Sequence, residues 1–214
     1  MSTPKHHVET LDSRRLLSAV TANVVDGTLF VTGTESGDVI DISRRWDGST
    51  RVAAYTVGGG FTYKVFKQHG FSSIAIDAKG GSDVVNVDGV VAPTGGSVLT
   101  GDGNDYLRID DANINGDLFV DSGEHADTVV VEDSQIEGLS LRGGNGNDRV
   151  SFDNNVILDY ATLDLGNGHD VLVARGNVAY GFTAFYDGNG CDVVYSRGNR
   201  WAGGADDGDF EWSF

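Results

Sequence analysis

Apolar residues along the chain alternate with polar ones in short stretches, and the stretches recur about every 22 residues. The clearest copy is Leu141–Phe152, where a glycine-rich turn leads through an aspartate into an alternating strand. With the aspartate numbered zero, apolar side chains fill positions +2 and +4 after it and −9 and −7 before it. Side chains two residues apart share one face of a strand, so each pair predicts a strand with one buried face. The repeated aspartates are Asp38, Asp83, Asp105, Asp127, Asp148, Asp170 and Asp192.

A third short strand is expected between these two. It is marked by Asn113-Ile114, Gln135-Ile136, Asn155-Val156 and Asn177-Val178. Strands this short, without intervening helices or two-residue hairpin turns, pair with the equivalent strand of the next repeat. The pattern therefore predicts an all-β fold: a right-handed parallel β-helix (β-solenoid) of about eight coils, each of about 22 residues with three short strands.

The interval between Asp38 and Asp83 is 45 residues, which is two periods plus one. Within it, Arg51–Val57 and Tyr63–Phe66 alternate like strands. They predict one further coil without an aspartate, and an interruption in any row of ions at that point. We see no loop insertion in the repeats that would build a cleft.

The turn at 143–151, GGNGNDRVS, fits the pattern G-G-x-G-x-D-x-U-x. In this it resembles the nonapeptide repeat of RTX (haemolysin-type) calcium-binding proteins. The resemblance implies that Ca²⁺ binds in the turns. The implied metal residues are Gly143, Gly144, Asn145, Gly146, Asn147 and Asp148, then Gly101, Asp102, Gly103 and Asp105, Gly166, Gly168 and Asp170, Gly188, Gly190 and Asp192, with the degenerate copies at Asp83 and Asp127.

Elementary chemistry supports calcium at these positions. Ca²⁺ takes oxygen ligands from carboxylates and carbonyls, and glycine lets a tight turn direct its carbonyls at one centre. Aspartates stacked about 4.8 Å apart repel by about 1 kcal/mol in water and about 3.5 kcal/mol at an effective dielectric constant of 20, which a shared cation would remove. RTX rolls carry two motifs per coil, whereas this chain has one, so we expect one ion row on one edge of a three-sided helix. The alternative is that these are ordinary solvated turn residues.

Two further columns have structural and functional interpretations. Asn113, Gln135, Asn155 and Asn177 are either a stacked amide ladder or solvated turn residues. Position +5 holds Asp110, Glu132 and Asp153, followed by Arg175 and Arg197. We interpret that column as a solvated face with ion pairs between coils rather than as the acid and base of a glycosidase. No catalytic arrangement is predicted.

Composition narrows the possible partners. The 214-residue chain has a net charge of −17, which argues against nucleic acid or an anionic membrane as a partner. No apolar run is long enough for a membrane span. The one cysteine, Cys191, allows no internal disulfide, so bound ions would have to stabilise an exported chain.

The two ends differ from the repeats. Residues 1–20 include LDSRRLLSAV at 11–20, which resembles the L-E-P-R-x-L-L sorting segment of planctomycete surface proteins at Leu11, Arg14, Leu16 and Leu17. The resemblance implies export. The repeats are assigned to 21–200, and the aromatic tail 201–214 is expected to cap the open end of the solenoid, the alternative being a docking surface.

The predicted function is thus an exported, extracellular or cell-surface, calcium-binding solenoid with a structural, adhesive or matrix role. Its partners would be calcium ions and a surface or matrix polysaccharide or protein. The alternative is a carbohydrate-active β-helix, a lyase or hydrolase, or its non-catalytic binding relative. A third possibility is an appendage of a toxin or protease, as RTX repeats often are.

Overall fold

The structure is a computed structural model that describes residues 19–67, 69–203 and 205–206. Within these ranges the chain forms β-strands and no helix, and parallel coils stack into a β-solenoid of about six turns. The prediction of an all-β parallel solenoid is confirmed. Among the described residues there is consequently no helix that could cross a membrane.

One sheet, sheet I, contains the strand that follows each aspartate. Its central strands are parallel, and each residue pairs with the residue at the same repeat position in the next coil. In spatial order, sheet I comprises β21 (Val193–Arg197), β17 (Val171–Arg175), β14 (Arg149–Asp153), β12 (Thr128–Glu132), β10 (Tyr106–Asp110), β7 (Val84–Asp88), β3 (Asp38–Arg44), β4 (Thr50–Thr56) and β5 (Phe61–Phe66).

The other large sheet, sheet II, contains the strand that precedes each aspartate. It comprises β1 (Thr21–Val25), β2 (Thr28–Thr34), β6 (Ser73–Lys79), β8 (Val91–Ala92), β9 (Gly96–Leu99), β11 (Asn113–Asp121), β13 (Gln135–Arg142), β15 (Val156–Asp164), β18 (Val178–Ala179), β19 (Thr183–Tyr186), β22 (Arg200–Trp201) and β23 (Ala205–Asp206). The expected third strand belongs to this sheet, as β8 and β18 or as the first residues of β11, β13 and β15. A two-stranded sheet, β16 (Asn167–Gly168) with β20 (Asn189–Gly190), lies in the turns.

The core lies between the two large sheets and follows the predicted columns. Every side chain at position +2, from Ile40 to Val194, is at most 3% exposed. Positions +4, −7 and −9 are also buried, except that Ser196 is exposed and Gly96 is half-buried. A further inward column comes from Ala92, Ile114, Ile136, Ile157 and Ala179. Period-two alternation predicted these faces because only one side of each strand meets the core.

The corner after sheet I and a bulge in sheet II determine the length of each coil. Position +6 turns the chain with φ between 49° and 71°, which favours the Gly, Asp and Asn found there. The bulge takes up variation in length. Strand β13 passes from Ile136 to Gly138 where β11 passes from Ile114 to Asp117, so the one 21-residue repeat loses its residue at the bulge.

The prediction of an extra coil between Asp38 and Asp83 is wrong. Strand β4 pairs antiparallel with β3, and β5 pairs antiparallel with β4, so this segment is an inserted meander at the edge of sheet I. Alternation cannot distinguish the two arrangements, because strands of either kind have a period of two. The meander removes one of the expected coils, and it also corrects the expectation that no insertion interrupts the repeats.

The meander leaves the solenoid itself continuous. Strand β3 pairs directly with β7 across the 45-residue interval, and the Asp38 N–H donates to Asp83 Oδ1 at 2.6 Å. The predicted interruption of the aspartate column therefore does not occur. The N-terminal hairpin β1–β2 lies beside the meander at the first coil of the solenoid. Thr62 and Lys64 of β5 donate hydrogen bonds to the carbonyls of Val20 and Ala22 there.

An amide ladder is present, and it contains Asn155 and Asn177 as predicted, but Asn199 belongs to it in place of Asn113 and Gln135. Each Asn at position +7 accepts a backbone N–H from the preceding coil, and the ladder runs through Asn155, Asn177 and Asn199. Their Nδ2 atoms donate to the carbonyls of Val131, Phe152 and Ala174. Asn113 and Gln135 pair one position further along, with Val156 and Val178. The sequence alignment matched the amide side chains with one another and so placed Asn155 and Asn177 one position out of register with Asn113 and Gln135.

Coil pairing continues beyond residue 200, the expected end of the repeats. Trp201 pairs in register with Ala179 and packs edge-on against Phe185, with ring centroids 5.6 Å apart. The sorting segment, except for Ala19 and Val20, and the aromatic residues Phe210, Trp212 and Phe214 lie outside the described residues.

The ladder geometry predicts unequal costs for two Asn→Ala substitutions. Asn177→Ala removes a buried side chain that accepts the Asn155 N–H and donates to the Phe152 carbonyl, so we expect a loss of about 2–3 kcal/mol in the free energy of unfolding. Asn113→Ala, at a half-buried position outside the ladder, should cost less than about 1 kcal/mol. Urea unfolding measures both, and equal losses would contradict the ladder assignment.

Candidate functional site

The glycine-rich turns stack into one column along one edge of the solenoid, as predicted. Residues at position −3 form parallel bridges from coil to coil, in the order Gly80, Asp102, Glu124, Asn145, Asn167 and Asn189. The predicted metal residues of successive turns are therefore brought together.

Stacking alone explains the glycines of the motif. Positions −4 and −2 have positive φ, for example 95° at Gly144 and 153° at Gly146. A Cβ on Gly168 would lie 1.4 Å from the carbonyl oxygen of Gly146, and one on Gly146 would lie 1.9 Å from that of His125. Side chains are thus excluded both by backbone conformation and by the carbonyl of the preceding turn. The glycines at −4 and −2 are therefore explained by the stacking of the turns, without a bound ion.

Backbone hydrogen bonds engage most polar groups of the turns. The N–H at −3 donates to the carbonyl at −4 of the preceding turn, as Asn145 does to Gly123 at 2.8 Å. The N–H at −2 donates to the carbonyl at −3 of the following turn, as Gly146 does to Asn167 at 2.8 Å. The carbonyls at −2, including those of Gly103 and Gly146, take no part in this bonding within the described turns.

The side chains at −3 and −1 also make contacts between coils. Asn145, Asn167 and Asn189 form an exposed amide ladder with N···O distances of 2.6 Å, and Asn145 also donates to Glu124. Asn147 Oδ1 accepts the His169 N–H, and His169 Nδ1 accepts the Cys191 N–H. These bonds already engage the side chains of Asn145 and Asn147, so the aspartates are the available side-chain ligands.

The seven aspartates form a hydrogen-bonded column. In each case the backbone N–H of one aspartate donates to Oδ1 of the aspartate in the next coil. The N···O distances lie between 2.6 and 2.9 Å from the Asp38–Asp83 contact through to the Asp170–Asp192 contact. One carboxylate oxygen of each residue from Asp83 to Asp192 is thereby engaged.

The other carboxylate oxygen has no partner in the five interior aspartates. Oδ2 is buried without a hydrogen bond in Asp83, Asp105, Asp127, Asp148 and Asp170. These residues are 1–4% exposed, so the interpretation of the aspartates as solvated turn residues is wrong. At the first coil, Asp38 Oδ2 accepts the Thr34 N–H at 2.7 Å. A buried carboxylate oxygen that the chain leaves without a partner is a position for a proton, a cation or an ordered water molecule.

Burial and repulsion between carboxylates raise the pKa values of the five interior aspartates of the column. Burial is the main cause, and it raises the pKa of Asp83 to about 7, that of Asp127 to about 8 and that of Asp148 to about 6. Neighbouring carboxylates of the column add to each increase. The pKa values of Asp105 and Asp170 are raised for the same main reason. The Thr100 hydroxyl lowers the pKa of Asp105 slightly, and the Ser122 hydroxyl does the same for Asp127. Each hydroxyl, however, donates its hydrogen bond to a carbonyl of the next turn.

A second acidic group lies at the corner after sheet I. Ligand atoms of Asp88, Asp110 and Asp111 lie within 4.8 Å of one another. Arg108, at position +3, pairs with Asp110 of its own coil at 2.8 Å and with Glu132 of the next coil at 2.7 Å, so the cation of these ion pairs is not one of the arginines of the +5 column. We did not single out Asp88 and Asp111 from the sequence, although the alignment of position +5 would have placed Asp88 beside Asp110.

No protein-family model, curated protein or solved structure matches the chain.

The raised pKa values predict that, without metal, the protein is more stable in acid than in base. Protonation of a buried carboxylate whose folded pKa exceeds its unfolded value of about 3.9 stabilises the fold. This contribution is fully present below pH 4 and is lost as the pH rises through about 6 to 8.

Denaturant unfolding in EDTA at pH 5 and at pH 8.5 measures the free energy of unfolding at each pH. We expect it to be greater at pH 5 by a few kcal/mol. The variant Asp111→Asn, at an exposed acid outside the column, should keep the same pH dependence. Equal stability at the two pH values would show that the column does not titrate in this range.

Proposed function

We propose that the chain is a calcium-binding β-solenoid in which Ca²⁺ takes the place of protons along the aspartate column. The observation that carries the proposal is the set of five buried Oδ2 atoms without partners. The Asn ladder at the other corner provides the internal comparison. There, the second side-chain atom, Nδ2, donates to a backbone carbonyl, as Asn177 does to Phe152 at 2.6 Å. A carboxylate has no such proton, so the aspartates accept the same backbone bond but leave one oxygen for another group.

The chemistry of the turns favours calcium over other cations. Hard divalent ions bind carboxylate and carbonyl oxygens, and Ca²⁺ tolerates the irregular geometry of flexible ligand sets better than Mg²⁺ does. Each interior aspartate offers one such oxygen in its unpartnered Oδ2, and the same turns contain backbone carbonyls at −2 that take no part in the hydrogen bonding between turns. A divalent ion shared between coils also removes the repulsion between stacked carboxylates.

Surface charge supports access of cations to this edge. An open concavity of about 250 Å³ beside the turns is lined by Asp77, Asp102 and Asp121, with Gly101 and Gly123 also contributing. A chain of net charge −17 raises the local concentration of cations.

We infer a structural, adhesive or matrix role at the cell surface or outside the cell. The resemblances to RTX repeats and to the planctomycete sorting segment support export, and millimolar extracellular calcium would saturate even weak sites of this kind. Exposed aromatic side chains on the meander, Tyr55, Phe61 and Tyr63, support adhesion over a purely mechanical role. We expect the right-handed sense found for parallel β crossovers.

Calcium should stabilise the fold mainly where the aspartates are ionised. Thermal melts at pH 8.5 in EDTA and in about 5 mM CaCl₂, roughly five times the weakest dissociation constants of extracellular calcium modules, should differ by many degrees. At pH 5 protons compete with the ion, so the difference should be small. MgCl₂ at the same concentration controls for ionic strength. An unchanged melting temperature at pH 8.5 would contradict the proposal.

The individual sites should differ in affinity. Asp148 lies in the turn with glycines at both −4 and −2, whereas the turn of Asp127 has His125 at −2. The lower pKa of Asp148 also means weaker competition from protons. Asp148→Asn should therefore reduce calcium affinity more than Asp127→Asn does, as measured by calorimetry at pH 7.5. The reverse order would show that the nonapeptide match does not identify the best site.

A further inference from the structure

A small cavity lies where the inserted meander replaces the corner of the first coil. In the later coils, position +6 has positive φ and turns the chain into sheet II. In the first coil that position is Arg44, which instead continues β3 and pairs with Thr50 of β4. The hairpin formed by β3 and β4 therefore extends past the corner of the next coil. A cavity of about 40 Å³ remains between this hairpin and that corner.

The lining of this cavity combines cationic, hydroxyl and apolar groups. Arg44, Thr50 and His69 contribute the polar side chains, and Phe71, Val91 and Pro93 contribute the apolar wall. In the described part of the chain, neither Arg44 nor His69 forms an ion pair, although the molecule carries a large excess of carboxylates. An arginine guanidinium presents several N–H donors in a fixed plane, which suits a planar carboxylate or a tetrahedral oxyanion.

The volume limits what the cavity can hold. One water molecule needs about 10–15 Å³ by the same kind of measure, so about 40 Å³ accommodates roughly three heavy atoms. That is the size of one carboxylate group and not of a whole sugar ring, and a sulfate, with one sulfur and four oxygens, would have to leave part of itself outside. The remainder of any larger ligand must lie outside, against the tip of the hairpin.

The tip of the hairpin provides a surface for the remainder of a ligand. Trp46 is 93% exposed, and it lies in the turn between β3 and β4, two residues after Arg44 and two before Gly48. The turn is closed by the Arg45 N–H, which donates to the Ser49 carbonyl at 2.8 Å. The nearby acid, Asp47, already accepts hydrogen bonds from Ser49 at 2.6 and 3.0 Å. An exposed indole beside cationic side chains suits the apolar face of a sugar that carries an acidic group.

We propose that this cavity binds the oxyanion group of an acidic saccharide, with Arg44 and His69 on the anion and Trp46 against the sugar ring. The site is separate from the aspartate column and does not depend on the proposed calcium sites. It would explain why the only described interruption of the repeats carries arginines and an exposed tryptophan in an otherwise acidic molecule.

Titrations of the full-length chain with sodium glucuronate and with sodium sulfate, followed by amide NMR at constant ionic strength and pH 6, test the proposal. We expect saturable shifts confined to residues around the cavity, such as Gly48, Thr50, His69 and Val91. Arg44→Gln should weaken both ligands at least tenfold. Arg45→Gln, an equally exposed arginine in the same turn that does not line the cavity, should change affinity less than twofold.

Two results would overturn the anion site: shifts that do not saturate, or equal losses from Arg44→Gln and Arg45→Gln. Unchanged amide signals around Asp148 would confirm that the variants remain folded. Trp46→Ala should weaken glucuronate at least threefold and leave sulfate unchanged. If it leaves both unchanged, the saccharide assignment is wrong and only an anion site remains. Calcium melts are independent of these readouts, so failure here does not bear on the aspartate column.

Discussion

The hydrogen bond from each aspartate N–H to the carboxylate of the next coil is the constraint that the solenoid depends on. It fixes both the height and the register of successive turns, because the donor and the acceptor belong to the same repeat position. Changes in length are accommodated elsewhere. The 45-residue interval accommodates a meander at the edge of sheet I, and the 21-residue repeat loses its residue at a bulge in sheet II. In both cases the aspartate contact is preserved.

Two polar ladders flank one apolar core, and they differ in one respect that matters for function. The Asn ladder is electrically neutral, and both side-chain atoms of Asn155 and Asn177 have partners. The aspartate column accepts the same kind of backbone bond but retains a buried oxygen without a partner on each interior member. The Asn ladder is thus closed by hydrogen bonds within the chain, whereas each interior member of the aspartate column keeps one oxygen that the described part of the chain does not bind.

The meander gives the molecule a second kind of surface. The repeats themselves present a regular face on which position +5 is crossed by ion pairs such as Arg108–Glu132. At the meander, by contrast, Tyr55, Phe61 and Tyr63 are exposed on β4 and β5, and Trp46 is exposed beside Arg44, where the regular corner is missing. Replacement of one corner by a hairpin thus creates both an exposed edge and a cavity, which a regular stack of coils cannot offer.

The sequence by itself determined the period, the buried columns and the alignment of the turns, because these depend on local alternation and on glycine positions that repeat in register. Residues such as Ile109, Val131 and Leu141 were predictable as core for that reason. Only the tertiary structure decided the rest. It showed that Arg51–Val57 belongs to an antiparallel meander and that the amide ladder begins at Asn155 and excludes Asn113. It also showed that the aspartates are buried with one free oxygen. Strand direction, a one-residue shift and the burial of a turn all depend on which chain segment lies alongside, and local alternation contains no information about that neighbour.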